Sequence, residues 1–216
     1  MDTSMKLPVL EAAQIRVLGA LMEKSKTTPD YYPMTLNGLA AACNQKTSRK
    51  PVVQYDDSTI TTALNSLKIA GLISTATGGS IRNIKYKHNF AIVFPVLPSE
   101  VAVMCLLFLR GPQTPGEINT NSGRLYEFET LEEVNQTLEK LASEGYIKQL
   151  PKRPGQKEQR YMHLFSGDVE LNEDDFAVDE IPFKSNNQLE ERLAKVEEEL
   201  AELKTNFDKL MKELMG

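Results

Sequence analysis

The sequence predicts a mainly α chain with small β-hairpins, an α+β class. Two tandem copies of one module come first, then an acidic linker and a C-terminal coiled-coil helix. Three observations carry this prediction. One stretch of the chain is written twice, the charge balance changes sharply after the second copy, and the last stretch repeats apolar residues in heptads.

The duplication is legible residue by residue. Ile60-Thr61-Thr62-Ala63-Leu64-Asn65-Ser66-Leu67-Lys68-Ile69-Ala70-Gly71-Leu72-Ile73 recurs 74 residues later as Val134-Asn135-Gln136-Thr137-Leu138-Glu139-Lys140-Leu141-Ala142-Ser143-Glu144-Gly145-Tyr146-Ile147. Lys85-Tyr86-Lys87-His88-Asn89-Phe90 recurs 75 residues later as Arg160-Tyr161-Met162-His163-Leu164-Phe165. The extra residue falls in the polar stretch between two strands, where loop tips accept insertions. In each copy a cap residue, Asp56 or Thr130, precedes an apolar stripe at about a 3.6-residue period. In the second copy Glu133 is placed to complete a capping box. Gly71 and Gly145 occupy the position of a left-handed C-cap. A short strand, a polar tip and a second strand follow, with Tyr, His and Phe alternating onto one face. Helix plus hairpin in this order is the second half of a winged helix.

Taken in order, Pro8 to Glu23 reads as a first helix, and Pro29 and Pro33 stop its continuation. Thr35 caps a short second helix with Leu36, Leu39, Ala40 and Cys43 inward. Asn44 to Pro51 is a basic connection to the repeated helix and hairpin, and residues 1–94 make the first winged-helix domain. Residues 95–167 make the second. Pro98 to Arg110 is an apolar helix stopped by Gly111-Pro112. Thr114-Pro115-Gly116-Glu117 starts a short helix with a cap, a proline at the first turn and a glutamate at the third position. The duplication predicts two cores.

Residues 168–187 are acidic and lack periodicity, which reads as a solvated linker. In residues 188–216 the pattern becomes Leu189, Leu193, Val196, Leu200, Leu203, Phe207, Leu210 and Leu214, an alternation of four- and three-residue steps. That is a coiled-coil seam. With Leu193 at position a, Arg192 faces Glu197 and Glu199 faces Lys204 in a parallel pair, so the expected assembly is a homodimer. The competing reading is an amphipathic helix folded onto its own domains.

Net charge is −5, distributed as +5 over residues 1–94, −1 over 95–165 and −9 over 166–216. No run approaches the roughly 18 apolar residues of a membrane span, so no membrane partner is expected. The N-terminus has neither the basic nor the apolar region of an export signal. Cys43 and Cys105 sit in apolar helical patterns as small core residues, consistent with a reduced, cytoplasmic protein. His88 and His163 occupy equivalent strand positions, a repeated structural role rather than a metal or acid–base one. No cofactor, metal or catalytic motif is recognised, and an enzyme is not expected.

Nucleic-acid binding is the chemistry these residues suit best. A winged helix presents its third helix to the major groove and its hairpin to the backbone. Ser58, Thr61, Thr62, Asn65 and Lys68 face outward from the first such helix, with side chains able to bond base edges. Lys46, Arg49 and Lys50 before it, and Arg82, Lys85 and Lys87 in the hairpin, are the expected phosphate contacts of double-stranded DNA. The competing reading is a set of solvated cations on an ordinary surface. The second copy exposes Glu132, Glu133, Glu139 and Glu144, which repel phosphate. Only Lys152, Arg153, Lys157 and Arg160 in its hairpin favour phosphate, so a protein partner is expected there.

Asn44 to Val52, Leu109 to Glu117 and Arg124-Leu125-Tyr126-Glu127-Phe128 carry a family resemblance. Over about residues 7–167 the chain resembles the YceH-like family of bacterial proteins. The resemblance implies a tandem winged-helix fold in a bacterial cytoplasmic protein and supplies no catalytic or ligand residues to carry over. The expected function is therefore a non-enzymatic DNA-binding, regulator-like protein. The alternative is a protein-interaction adaptor, similar in fold to the small partner subunits of chromosome-segregation complexes. A third expectation is that the acidic tail competes with DNA for the basic face.

Overall fold

The computed structural model describes residues 7–76, 84–152 and 158–167, together with Lys204. Two compact units divide the chain at Asp168. The linker and the eight heptad positions lie outside the described residues, as does Arg82; Lys204 is helical and exposed.

The first unit mixes helices with two small antiparallel sheets. It runs α1 (Ala12–Thr27), a 3-10 turn (Pro29–Tyr31), β1 (Met34–Thr35), α2 (Leu36–Cys43), α3 (Asp57–Ile69), β2 (Ile73–Ala76) and β3 (Lys85–His88). A short α4 (Phe90–Val93) leads to α5 (Pro98–Arg110), α6 (Pro115–Ser122), α7 (Leu131–Ser143), β4 (Ile147–Gln149) and β5 (Tyr161–His163). Helix α1 starts and ends four residues later than the sequence pattern suggests. Pro8 to Leu10 is extended, because the Leu10 amide donates to Phe165 O at 2.6 Å. The Glu11 amide instead closes the helix start by donating to Gln14 Oε1 at 3.0 Å.

The two copies share their topology. In the first sheet β3 lies between β1 and β2, with Met34 opposite Tyr86. In the second, β4 pairs with β5, and an isolated bridge joins Gln113 to Tyr161. The bridge is the remnant of a third strand, since Gln113 precedes the α6 cap Thr114 as Met34 precedes the α2 cap Thr35.

Helices α3 and α7 end alike. The Leu72 amide donates to Leu67 O at 2.9 Å and the Tyr146 amide to Leu141 O at 3.0 Å, with Gly71 at φ 73° and Gly145 at φ 78°. This is a Schellman cap, whose left-handed position glycine fills without a Cβ clash. The start of α7 differs from expectation. Thr130 Oγ1 accepts from the Glu133 amide at 3.2 Å, but the Glu133 carboxylate reaches past Thr130 to the Glu129 amide and the Tyr126 hydroxyl, both at 3.0 Å. The reciprocal box forms at α6 instead, between Thr114 and Glu117.

Where the duplication predicts two cores, the buried residues form one continuous cluster. The equivalent helices α1 and α5 pack together at Gly19, where a Cβ would stand 3.0 Å from Leu109 Cγ and Phe108 Cβ. Equivalent phenylalanines also meet, Phe90 and Phe165 having centroids 5.6 Å apart, while Phe94 and Phe108 stand edge-on to Phe165 at 5.2 and 5.4 Å. Contact between equivalent groups is what a two-fold arrangement produces. Such ring pairs add to the stabilisation that apolar burial provides.

Candidate nucleic-acid interface

The exposed face of α3 begins with acid. Asp56 Oδ1 accepts from the Thr59 amide at 2.8 Å and from Ser58 Oγ at 3.0 Å, and these bonds hold the carboxyl below its ordinary pKa. Asp57 follows, exposed in the first turn. Two carboxylates here suit the helix dipole and repel phosphate. Thr62 Oγ1 donates to Ser58 O at 2.9 Å, so the hydroxyl protons of both Ser58 and Thr62 are used within the chain. Their oxygens remain acceptors. Thr61 is half-buried, while Asn65 and Lys68 are exposed toward the C-terminal half of α3, beyond the two carboxylates.

That half leads directly into the hairpin. Lys85 and Lys87 alternate onto the outer side of β3, whereas Tyr86 and His88 point toward the helices. Lys87 stands opposite Ser74, and Lys85 lies between Thr35 and Ala76. Among the described residues, Lys46, Lys50, Lys68, Lys85 and Lys87 have no carboxylate within ion-pair distance.

Arg49 departs from its expected role as a phosphate contact. Its side chain is fully buried, with Nη1 and Nη2 forked onto the Glu23 carboxylate at 3.0 and 2.6 Å. Nε and Nη2 also donate to Ala42 O, and Nη2 donates to Gln45 Oε1. Arg16 does similar work beside it, donating to Cys43 O at 3.1 Å and to Pro51 O at 2.6 Å, with Nε left unpartnered. Burial, and then the charge of Arg49, push the Arg16 guanidinium below its usual pKa. The two arginines cap the last carbonyls of α2, where the helix dipole welcomes positive charge. The sequence signal for Arg16 is its place among Ile15, Val17 and Leu18 in an apolar run; Arg49 stands in a basic loop and carries no such signal.

Lys46 and Lys50 are exposed on that loop, which is tied down at both ends. Asn44 Nδ2 donates to Tyr55 O and the Tyr55 amide to Asn44 Oδ1, each at 2.8 Å. The Lys50 amide donates to Leu109 O at 2.8 Å and Arg110 Nη2 to Ser48 Oγ at 2.9 Å. The loop is therefore held against the end of α5.

Equivalent positions in the second copy carry the opposite arrangement. Arg160, the counterpart of Lys85, forks onto Glu117 at 2.6 and 2.7 Å and donates to Pro112 O. Lys140 pairs with the buried Glu100, which also accepts from the Leu97 amide. Glu132 and Glu139 on α7 are exposed, without a cationic partner among the described residues.

The histidines hold structure together. His88 Nδ1 accepts from the Phe90 amide, which leaves Nε2 as the donor to Ser25 Oγ at 3.2 Å. The His163 ring stands edge-on to Phe108 with its Nδ1 buried and unpartnered. Burial lowers both imidazoles to a pKa of about 4, with Lys26 adding to the effect at His88. Among the described residues no group of His, Cys, Asp or Glu side chains converges as a metal site would. No described helix is long and apolar enough to cross a membrane.

These features define an internally duplicated α+β protein whose two halves share a plan and differ in the charge they leave free. Residues 10–156 match the model of a family described as a protein of unknown function, DUF480, and the chain belongs to that family. A UPF0502 protein of Solibacter usitatus is 48% identical over 199 residues, covering 92% of this chain and 95% of its own. A UPF0502 protein of Opitutus terrae is 44% identical, covering 87% and 83%. The UPF0502 protein YceH of Escherichia fergusonii is 40% identical, covering 95% and 97%, in line with the YceH-like resemblance of the sequence motifs.

Proposed function

We propose that both copies are winged helices and that the first binds duplex DNA without catalysing a reaction. Asn65 and Lys68 of α3 and Lys85 and Lys87 of β3 form the reading surface, and Lys46 and Lys50 add phosphate attraction from the side. The observation that carries the reading is the contrast at equivalent positions. Lys85 has no carboxylate within ion-pair distance among the described residues, whereas Arg160 at the equivalent position is neutralised by Glu117. Asn65 bonds adenine best among the residues of this surface, and the lysines supply sequence-independent affinity. The carboxylates of Asp56 and Asp57 keep the N-terminal end of α3 off the phosphates.

Fluorescence anisotropy of mixed-sequence duplex DNA with the full chain tests this. Three lysine–phosphate contacts predict roughly a 40-fold loss of affinity between about 50 and 200 mM salt, from counterion release. The triple variant K68E/K85E/K87E should abolish that salt-dependent binding, with circular dichroism showing the chain still folded; Lys68 and Lys87 are exposed and Lys85 is half-buried. Salt-dependent binding that survives the triple variant, or no binding by the unaltered chain, would refute the proposal.

A further inference from the structure

We propose that the cleft between α7 and the β4–β5 hairpin receives an extended segment of a partner protein in which lysine or arginine alternates with apolar residues. The cleft holds about 340 Å³. Pro115, Leu131 and Tyr161 supply its apolar surface, and Asn135, Gln149 and Gln159 its amides. Leu131, in the first turn of α7, is 44% exposed. A large apolar side chain standing in solvent beside polar groups is characteristic of a binding groove.

The amides suit a peptide backbone. Gln149 Nε2 donates to Gln159 Oε1 at 2.7 Å and to the Tyr161 hydroxyl at 3.2 Å. Gln149 keeps its carbonyl and Gln159 its amino group without a partner among the described residues, one acceptor and one donor set side by side. An extended chain presents the complementary pair at every residue.

Charge then selects which peptide. Leu131, Asn135 and Glu139 follow one another at four-residue steps, so they form one stripe along α7. Glu139 is the next residue of that stripe beyond the lining residue Asn135; burial, and then the Glu139 carboxylate, raise the pKa of the Tyr161 hydroxyl. Glu132 adds a second carboxylate on the same helix without a cationic partner among the described residues. Lys152 and Glu158 both line the cleft, one charge of each sign. Arg160, one of the cations of this hairpin, is already bound to Glu117. The α7 side of the cleft, with Glu132 and Glu139, is therefore complementary to a basic chain. This inference does not depend on DNA binding by the first copy.

The test uses the full chain and a fluorescein-labelled peptide of about ten residues alternating lysine and valine, with a glutamate–valine peptide of equal length beside it. The lysine peptide should bind and the glutamate peptide should not. Leu131→Lys and Glu139→Lys should each weaken binding about fivefold or more, while Glu127→Lys, an exposed reversal outside the cleft, changes it little. All three side chains reach solvent, so urea unfolding should show near-wild-type stability. No binding of the lysine peptide up to about 1 mM would overturn the proposal. So would equal weakening by Glu127→Lys, which marks attraction to the chain's overall negative charge. Duplex DNA bound in this cleft, and bound tighter after Glu139→Lys, would also overturn it.

Discussion

Arg49 and Lys50 are neighbours in sequence with opposite fates. One guanidinium is forked onto Glu23 and bonded to the helix-end carbonyl of Ala42, the other residue's ammonium stands in water, and nothing in the local composition separates them. The difference comes from α1, which supplies Glu23 from a distant turn. The histidines are the reverse case, since equivalence in the repeat is enough to read a structural role, and the bonds of His88 to Ser25 and Phe90 fit it. They also make the fold sensitive to acid. Each imidazole is neutral in the folded state with a pKa of about 4, against about 6.5 when unfolded. The unfolded chain therefore binds more protons between these values, and folding stability falls as pH drops through that window. Urea unfolding at pH 7 and pH 5 should show a loss of a few kcal/mol, about 1.4 kcal/mol per pH unit for each histidine once below 6.5. His163→Gln should flatten that slope by about half.

At the level of elements, the strongest sequence signals are the ones local chemistry fixes. The caps Thr35, Asp56, Thr114 and Thr130, the Gly71 and Gly145 stops and the repeated hairpins all lie where the pattern puts them. Helix α1 begins later than its pattern suggests because a tertiary bond to Phe165 holds Leu10 outside it, which periodicity cannot report, and it runs on to Thr27, two residues short of Pro29. In the candidate site, the outward set on α3 is legible from its stripe, but the use of the Ser58 and Thr62 protons inside the helix is a matter of rotamers. The two glycine stops predict their own test. Gly71→Ala and Gly145→Ala force a Cβ into left-handed backbone and should each cost about 1–2 kcal/mol by urea unfolding. Gly123→Ala, at φ −52° with open space around it, should be neutral or stabilise by about 0.5 kcal/mol.

For the whole first unit, the charge split between the copies was readable by counting, whereas the fusion of their cores was not. The packing of α1 on α5 depends on a crossing that leaves room only for Gly19, and a glycine inside a helix gives no hint of what approaches it. Gly19→Val places bulk against Leu109 and Phe108 and should cost about 1–3 kcal/mol or more. Because one core serves both copies, hydrogen exchange should show the loss equally in amides of α3 and α7; protection lost from one helix alone would mean that the copies unfold separately.

The meeting of Phe90 with Phe165 has a consequence for how such a chain diverges. Two identical subunits joined across a two-fold axis must change in step, because every substitution appears on both sides of the seam. Once the halves are joined in one polypeptide, that obligation ends. Lys85 and Arg160 descend to equivalent places and have been free to acquire different neighbours, so a symmetric scaffold can present two unlike faces without giving up the contact that holds it together.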